Sequence, residues 1–169
     1  MKRSAAKIAV RDIALFGVLG ALTFAAKLVM SFLPNIEPVS LMVMLCAVTF
    51  GKKCIYPVYV YVAMEILVYG INIWNVYYLY VWLVLAVAAY LMRNCKEPLM
   101  WAILSGVFGL LFGALCGITD IFIGGLGYAV SKWTMGILFD VVHGVSNFVI
   151  ALLLFMPLQK LMDRLYNGK

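Results

Sequence analysis

The chain has 169 residues, of which 66% are hydrophobic and 12% are charged, and its mean hydropathy is +1.07. A soluble domain of this length carries about 45–50% apolar residues and about 25% charged ones. A folded interior of this size cannot hide such an apolar excess from water, so the composition excludes a soluble globular domain. We therefore expect an all-α integral membrane protein.

Hydrophobic runs along the chain predict six transmembrane helices, because about 20 apolar residues cross the hydrocarbon core of a bilayer. The first run covers residues 13–33, and the prolines of the following "LPNIEP" prevent it from continuing. The second, "VSLMVMLCAVTF", is short for a span and indicates a helix packed against its neighbours or partly re-entrant. The other four are "CIYPVYVYVAMEILVYG", "YYLYVWLVLAVAAYLM", "LMWAILSGVFGLLFGALCGI" and "MGILFDVVHGVSNFVIALLLFMPLQ".

The basic residues support this number of spans, because cytoplasmic loops of membrane proteins are enriched in lysine and arginine. With both termini cytoplasmic, eleven of the 13 basic residues fall at the termini or in cytoplasmic loops: Lys2, Arg3, Lys7, Arg11, Lys52, Lys53, Arg93, Lys96, Lys160, Arg164 and Lys169. The opposite loops contain only Lys132, and Lys27 lies within the first helix. Because no linker or internal repeat is evident, we expect a single six-transmembrane-helix bundle over residues 1–169 in the cell membrane.

The net charge of +6 follows from the same distribution. These charges border the membrane, where they interact with anionic lipid, and their pattern does not indicate a nucleic-acid partner. The four cysteines show no C-x-x-C spacing and are interpreted as small buried residues, so we expect neither disulfides nor a metal site.

Three polar residues share one stripe of the last predicted helix. Asp140, His143 and Asn147 follow spacings of i, i+3 and i+7 in "GILFDVVHGVSN", and the stripe descends from the outer surface to mid-membrane. Polar side chains at this depth are costly and usually face a bundle interior or a cavity. Three alternatives stay open: a self-satisfied Asp140–His143 pair, a Lys27 that reaches the outer interface, and a neutral, hydrogen-bonded Glu65.

The predicted outer loops contribute further polar and aromatic side chains at the same end. Each ring on its own is also explained by the aromatic belt at a membrane interface. The inner halves of the last three helices are almost purely apolar, so the polarity is one-sided and indicates an outward-facing cup instead of a pore. The candidate substrate-binding residues are Asn35, Glu37, Asn72, Trp74, Asn75, Tyr78, Trp133, Asp140, His143 and Asn147.

Small residues form two further stripes. Ala14, Gly17, Ala21 and Ala25 lie on the first helix and indicate either internal packing or a docking face for another protein. Gly106, Gly109, Gly113 and Gly117 lie on the fifth helix, where we favour packing within the bundle.

Enzyme signatures are missing from the sequence. There is no H-E-x-x-H, G-x-S-x-G, Walker A or Asp-rich metal motif, and one histidine cannot form a multi-histidine metal site. No nucleophile is evident beside His143, since Ser146 is better explained by packing. We therefore predict no catalytic residues and no metal ligands, and the chain contains no energy source of its own.

The whole pattern resembles the substrate-binding S components of energy-coupling factor (ECF) transporters. The resemblance rests on six short spans, a basic N-terminus, a small-residue first helix, "LPNIEPVSLMVML" after it, and "GILFDVVHGVSNFVIALLLFMPLQKLMDRL" at the end. It implies capture of a vitamin or related micronutrient at the outer face of the bacterial cytoplasmic membrane. It also implies docking, through Ala14, Gly17, Ala21 and Ala25, onto a transmembrane scaffold that carries two cytoplasmic ATPases, so ATP is used by the partners and not by this chain.

The resemblance places cargo contacts in the loops and last helix that contain the candidate residues above. Similar sequences suggest cobalamin or its benzimidazole precursor, followed by thiamine precursors, pyridoxine and queuosine-type bases. The nickel and cobalt members use a histidine at the extreme N-terminus, which "MKRSAAK" lacks, so we expect no metal cargo. The alternatives are a structural six-span protein of the rod-shape morphogenesis type, which needs no ligand, and a small membrane enzyme.

Overall fold

The computed structural model describes residues 10–167, apart from the side chain of residue 167. The described residues form helices joined by short connections and contain no strand. Lys2, Arg3, Lys7 and Lys169 of the predicted cytoplasmic charges lie outside the described residues. The helices are α1 (Val10–Val29), α2 (Val39–Phe50), α3 (Ile55–Tyr69), α4 (Ile73–Leu91), α5 (Pro98–Leu110) and α6 (Phe112–Asn167), and a 3₁₀ turn (Gly51–Cys54) joins α2 to α3.

Four hydrophobic segments in the described chain are long and apolar enough to cross a membrane: Val10–Val29, Val39–Tyr69, Ile73–Leu91 and Pro98–Tyr166. The second and the fourth exceed the length of about 20 residues that one crossing requires. Both change direction at a glycine with positive φ, Gly51 (φ 58°) and Gly125 (φ 80°). Only glycine adopts this backbone region without steric cost, so these two positions fix where the helices turn.

Local sequence explains most of the helix boundaries. The prolines after residue 33 separate α1 from α2 as predicted, although α1 already ends at Val29. Asn72 caps the N-terminus of α4 by accepting a hydrogen bond from the Trp74 amide at 2.9 Å, and Asn75 accepts one from the Asn72 amide at 2.7 Å. Pro98 starts α5, where its missing N–H costs nothing.

The region between the last two predicted helices differs from expectation. The fifth and sixth predicted spans leave residues 119–134 as an outer loop, but this stretch is helical apart from the non-helical backbone of Gly125. The first arm of α6 (112–124) therefore extends α5 after a break at Leu111, and the second arm (126–167) runs back alongside both. Polar residues such as Asp120 and Lys132 lie on helices that continue from the neighbouring apolar runs. A prediction from composition therefore ends the fifth span too early and starts the sixth too late.

The two ends of the bundle are chemically distinct. At one end, Lys53 donates to Asp12 at 2.9 Å, and Arg11 donates to the carbonyl of Leu165 at 3.1 Å. These bonds join the start of α1, the 3₁₀ turn and the end of α6, and we call this the basic end. The other end, where Lys27 meets Glu65 at 2.8 Å, is called the pocket end.

Aromatic side chains fill the centre between these ends. The Trp82 ring is fully buried and lies within 6.0 Å, centroid to centroid, of the rings of Tyr61, Tyr78, Phe108 and Phe112. Nearer the basic end, Trp101 and Phe155 stack at 4.2 Å. Large buried rings supply much of the packing energy of a bundle whose outside is apolar as well.

Three glycines let the second arm of α6 pack closely against α5 and the first arm of α6. A Cβ atom on Gly109 would lie 2.8 Å from the Cα of Gly144, and one on Gly113 would lie 2.5 Å from the Asp140 carboxylate. Gly106 is similarly close to Phe148. The predicted packing role of this stripe is confirmed for these three positions, whereas a Cβ on Gly117 would meet nothing within 4 Å.

We predict opposite effects for two matched substitutions in this stripe. Gly109→Ala forces the helix backbones apart and should destabilise the protein by about 1–3 kcal/mol. Gly117→Ala, which enters open space, should be neutral or stabilising by up to about 1 kcal/mol because alanine favours the helix. Unfolding in detergent, followed by the reaction of the buried cysteines with a thiol-reactive dye, measures both. Equal melting temperatures for the two variants would contradict this packing.

Candidate functional site

A cavity of about 490 Å³ lies at the pocket end, within the size range of small-molecule sites. Its walls come from α1, the connection 30–38, α3, α4 and both arms of α6. The lining side chains are mostly polar or aromatic: Lys27, Met30, Ser31, Leu33, Pro34, Asn35, Ile36, Glu37, Glu65, Tyr69, Asn72, Trp74, Asn75, Tyr78, Phe112 and His143.

The connection 30–38 is held against α6 by its backbone. Asn35 has a positive φ of 57°, which asparagine tolerates better than most residues, and its carbonyl accepts a hydrogen bond from the Ser146 hydroxyl at 3.0 Å. Ser146 is 111 positions away in sequence. This bond seats the polar residues of the connection over the cavity.

An ion pair forms one wall of the cavity. The Lys27 ammonium lies 2.8 Å from a carboxylate oxygen of Glu65, and the Lys27 and Glu65 side chains are 22% and 6% exposed. The ammonium also lies 5.3 Å from the centroid of the Tyr78 ring, within cation–π distance. Sequence reasoning left the roles of Lys27 and Glu65 open, and the structure places both in the wall of the cavity.

Glu37 and His143 both line this cavity and lie close to each other. The imidazole Nε2 of His143 lies 3.9 Å from a carboxylate oxygen of Glu37, beyond hydrogen-bond distance. Although His143 is 4% exposed, its Nε2 has no hydrogen-bond partner among the described residues. The Phe112 ring packs edge-on against the imidazole at 5.0 Å and fixes its orientation. A buried polar atom without a partner is costly, so this nitrogen is suited to contact a bound molecule.

Burial raises the pKa of Glu37 to about 7, the positive charge of Lys27 opposes that rise, and the negative charge of Glu65 adds to it. Glu37 precedes α2 and lies between two hydrophobic segments. Its carboxyl group therefore changes charge near neutral pH, and a molecule bound beside it would shift that equilibrium.

Seven of the ten candidate binding residues line this cavity, namely Asn35, Glu37, Asn72, Trp74, Asn75, Tyr78 and His143. Two of them also have a structural role, since Asn72 and Asn75 form the cap of α4. The amide nitrogen of the Asn75 side chain makes none of the cap hydrogen bonds and stays available. The cap thus fixes the position of a side chain that can contact a guest.

The other three candidates lie in different surroundings. Trp133 and Asp140 line a second cavity of about 420 Å³, which shares Pro34, Asn35, Trp74 and Phe112 with the first. Asn147 lines neither cavity: it is 1% exposed and donates to the hydroxyl of Ser40 at 2.9 Å. Residues at i, i+3 and i+7 of one helix meet different neighbours here because α2 covers only the deeper part of the stripe.

The second cavity contains a polar cluster that the candidate set omitted. Lys132 donates to Asp120 at 2.8 Å and to the hydroxyl of Tyr77 at 2.7 Å, and Tyr77 donates to Asp120 at 2.6 Å. The sequence places Lys132 in an outer loop, but it does not show that the turn at Gly125 brings Lys132 back to Asp120. Phe112, which separates the two cavities, gave no signal because it is one apolar residue in an apolar run.

The small-residue stripe of α1 faces away from the bundle. Ala14 and Ala25 are exposed, Gly17 and Ala21 are half-buried, and a Cβ on Gly17 would meet no atom within 4 Å. The buried face of α1 instead carries Asp12, Phe16, Gly20, Thr23 and Phe24. The stripe is therefore open to contact another helix or lipid.

Within residues 10–167, no group of three or more His, Cys, Asp or Glu residues could hold a metal ion, and the four cysteines are free thiols. Comparisons with protein-family models, with curated proteins and with solved structures found no match to this chain. The site must therefore be interpreted from its own geometry.

We predict energetic coupling between Lys132 and Asp120. Lys132→Met leaves the Asp120 carboxylate, which is 2% exposed, without its cation and should destabilise the protein by roughly 1–3 kcal/mol. The double variant Lys132→Met/Asp120→Asn should recover part of this loss, because it removes the uncompensated charge. Melting temperatures of the wild type, both single variants and the double variant measure the coupling. Additive effects would show that the ion pair contributes nothing.

Proposed function

We propose that this chain is the substrate-binding S component of an ECF-type ABC transporter. In this proposal it captures a vitamin or related heterocyclic micronutrient at the outer face of the membrane for ATP-driven uptake. The observation that carries the proposal is the cavity of about 490 Å³, lined by polar and aromatic side chains at one end of an otherwise apolar bundle. A purely structural six-span protein has no need for such a cavity.

The proposed topology has six crossings of the bacterial cytoplasmic membrane, with both termini in the cytoplasm. It is supported by the turns at Gly51 and Gly125, which divide the two longest hydrophobic segments. It is also supported by Arg11, Lys53 and Arg164, which fall at or near the basic end, as expected for a cytoplasmic side. The cavity then opens to the outside.

The proposed guest is a planar heterocycle, with cobalamin or its benzimidazole precursor as first candidates. Trp74, Tyr78 and Phe112 supply ring surfaces, and amides and charged groups supply hydrogen bonds. A cavity of about 490 Å³ has more than enough room for a fused-ring molecule such as benzimidazole, whereas most of a complete cobalamin would extend beyond it. Size therefore favours the precursor.

Capture without catalysis fits the groups around His143. The Ser146 hydroxyl donates to the carbonyls of Asn35 and His143, both at 3.0 Å, and so is not poised as a nucleophile. In the proposal, release inside depends on a transmembrane scaffold and two cytoplasmic ATPases. The exposed stripe of Ala14, Gly17, Ala21 and Ala25 would contact that scaffold through close helix packing.

Purified protein should carry a small molecule that tests the proposal directly. Mass spectrometry of material released from detergent-purified wild type should identify a heterocycle in near-stoichiometric amount. Trp74→Ala should weaken its binding about tenfold, since a ring wall is lost. Phe122→Ala, at an exposed residue that lines neither cavity, should retain it. Absence of any bound molecule would favour the structural alternative.

A second test concerns the docking face. Ala21→Trp and Ala25→Trp place a large ring where helices must approach closely, so each should abolish copurification with a scaffold and its ATPases. Leu22→Trp, on the neighbouring exposed face of the same helix, is the matched control and should leave the complex intact. All three variants should still bind the small molecule. Equal complex yields for the three would contradict docking through this stripe.

A further inference from the structure

The charged groups around the two adjoining cavities are unequal in number. Two lysines, Lys27 and Lys132, line them together with four carboxylic acids, Glu37, Glu65, Asp120 and Asp140. Surplus carboxylates inside an apolar bundle are electrostatically unfavourable, because buried charges need partners. A guest that carries N–H donors or positive charge would compensate them.

Both lysines are already paired. Lys27 contacts Glu65 at 2.8 Å, and Lys132 contacts Asp120 at the same distance. Each ammonium also lies near tyrosine rings, Lys27 at 5.3 Å from that of Tyr78 and Lys132 at 5.0 Å from that of Tyr77. An anionic guest would have to share one of these ammonium groups with the carboxylate that it already pairs with, which brings two negative charges close together.

The other two acids have no cation of their own. The basic group nearest to Glu37 is the imidazole of His143, 3.9 Å away. Asp140 accepts a hydrogen bond from the Gly113 amide at 3.0 Å through one carboxylate oxygen. Its second oxygen is buried and makes no hydrogen bond of standard geometry with the described residues, although the Trp133 side chain also interacts with this carboxylate. One cavity therefore offers the free acceptors of Glu37, and the other offers the second oxygen of Asp140.

We propose that the guest is a nitrogen heterocycle that directs N–H donors or positive charge at Glu37, and that molecules bearing a carboxylate or phosphate are rejected. This inference rests on the proposed function, since it specifies the guest of the same site. An N–H donor satisfies a carboxylate that is otherwise underused, and charge-assisted hydrogen bonds are stronger than neutral ones. Rejection follows because placing like charges together in a buried site is strongly unfavourable.

The ionisation of Glu37 gives this selectivity a pH dependence. The carboxyl group, with its pKa near 7, is neutral in mildly acidic solution and negative in mildly basic solution. Affinity for a cation should therefore rise as the pH increases from 6 to 8. The titratable groups that face Glu37 are Lys27, Glu65, Tyr61, Tyr78 and His143, so the Glu37→Gln variant is needed to isolate its part.

Three probes with one ring system test the inference by calorimetry on ligand-free protein in detergent. They are benzimidazole, which is neutral with an N–H; 1,3-dimethylbenzimidazolium, which is a fixed cation; and benzimidazole-5-carboxylate, which is an anion. We expect the anion to bind at least tenfold more weakly than the cation. Glu37→Gln should weaken the cation about tenfold and flatten its pH profile. Glu97→Gln, an exposed acid that precedes α5 far from both cavities, should change neither.

A second variant keeps the test decisive if Glu37→Gln folds poorly. Glu65→Gln frees Lys27 from its ion pair and should reduce the discrimination against the anion, so the carboxylate probe should bind more tightly to it than to wild type. No gain for that probe would contradict the assignment of Lys27 as a neutralised cation.

The outcomes separate this inference from the proposed function. If the anion binds wild type as tightly as the cation, or if a released native molecule carries a carboxylate or phosphate, the charge selectivity is wrong and capture still stands. A released molecule with N–H donors or positive charge and no acidic group supports both. If no molecule is released and none of the three probes binds, the proposed function itself is overturned.

Discussion

The organising constraint in this protein is that charged side chains surrounded by apolar material must find partners within the bundle. The Lys27–Glu65 pair satisfies it at the pocket end, and the Lys53–Asp12 pair satisfies it at the basic end. Between them lie aromatic and aliphatic side chains, with Trp82 at the centre. Charges are tolerated only at the two ends, so the polar groups cluster there. The cluster at the pocket end surrounds a cavity.

Helix packing decides the shape of that cavity. Gly109 and Gly144 let α5 and the second arm of α6 approach at backbone distance, and Gly113 leaves room for the Asp140 carboxylate. The same close approach positions His143 against Phe112, where the imidazole lines the first cavity. Small residues within the helices therefore determine where the Asp140 and His143 side chains lie in the cavity walls. A methyl group in their place would move the wall as well as weaken the packing.

The site combines rigid and unsatisfied groups, which is the usual basis of selective binding. The cap of α4 and the Ser146–Asn35 bond hold the surrounding segments in place. Glu37 and the Nε2 of His143 keep hydrogen-bonding capacity in reserve. Preorganised walls reduce the entropy that is lost when a guest binds. A guest that hydrogen-bonds to the unsatisfied groups also removes the free-energy cost of leaving them buried without a partner. Because carboxylates outnumber lysines around the cavities and both lysines are paired, the site should favour guests with N–H donors or positive charge.

Much of this protein could be predicted from its sequence by itself. The apolar excess predicted helices long and apolar enough to cross a membrane, the prolines of "LPNIEP" predicted the break between α1 and α2, and the polar residues near Asn35, Asn72 and His143 identified the end that holds the cavity. These features are local, since they depend on composition, spacing and backbone preference.

Only the tertiary structure decided that Asn147 pairs with Ser40, 107 residues away, that Asp140 and Trp133 face a separate cavity, and that Lys27 and Lys132 are neutralised. Partners so distant along the chain meet only when whole helices pack, and the spacing within one helix does not specify which neighbour covers which part of it.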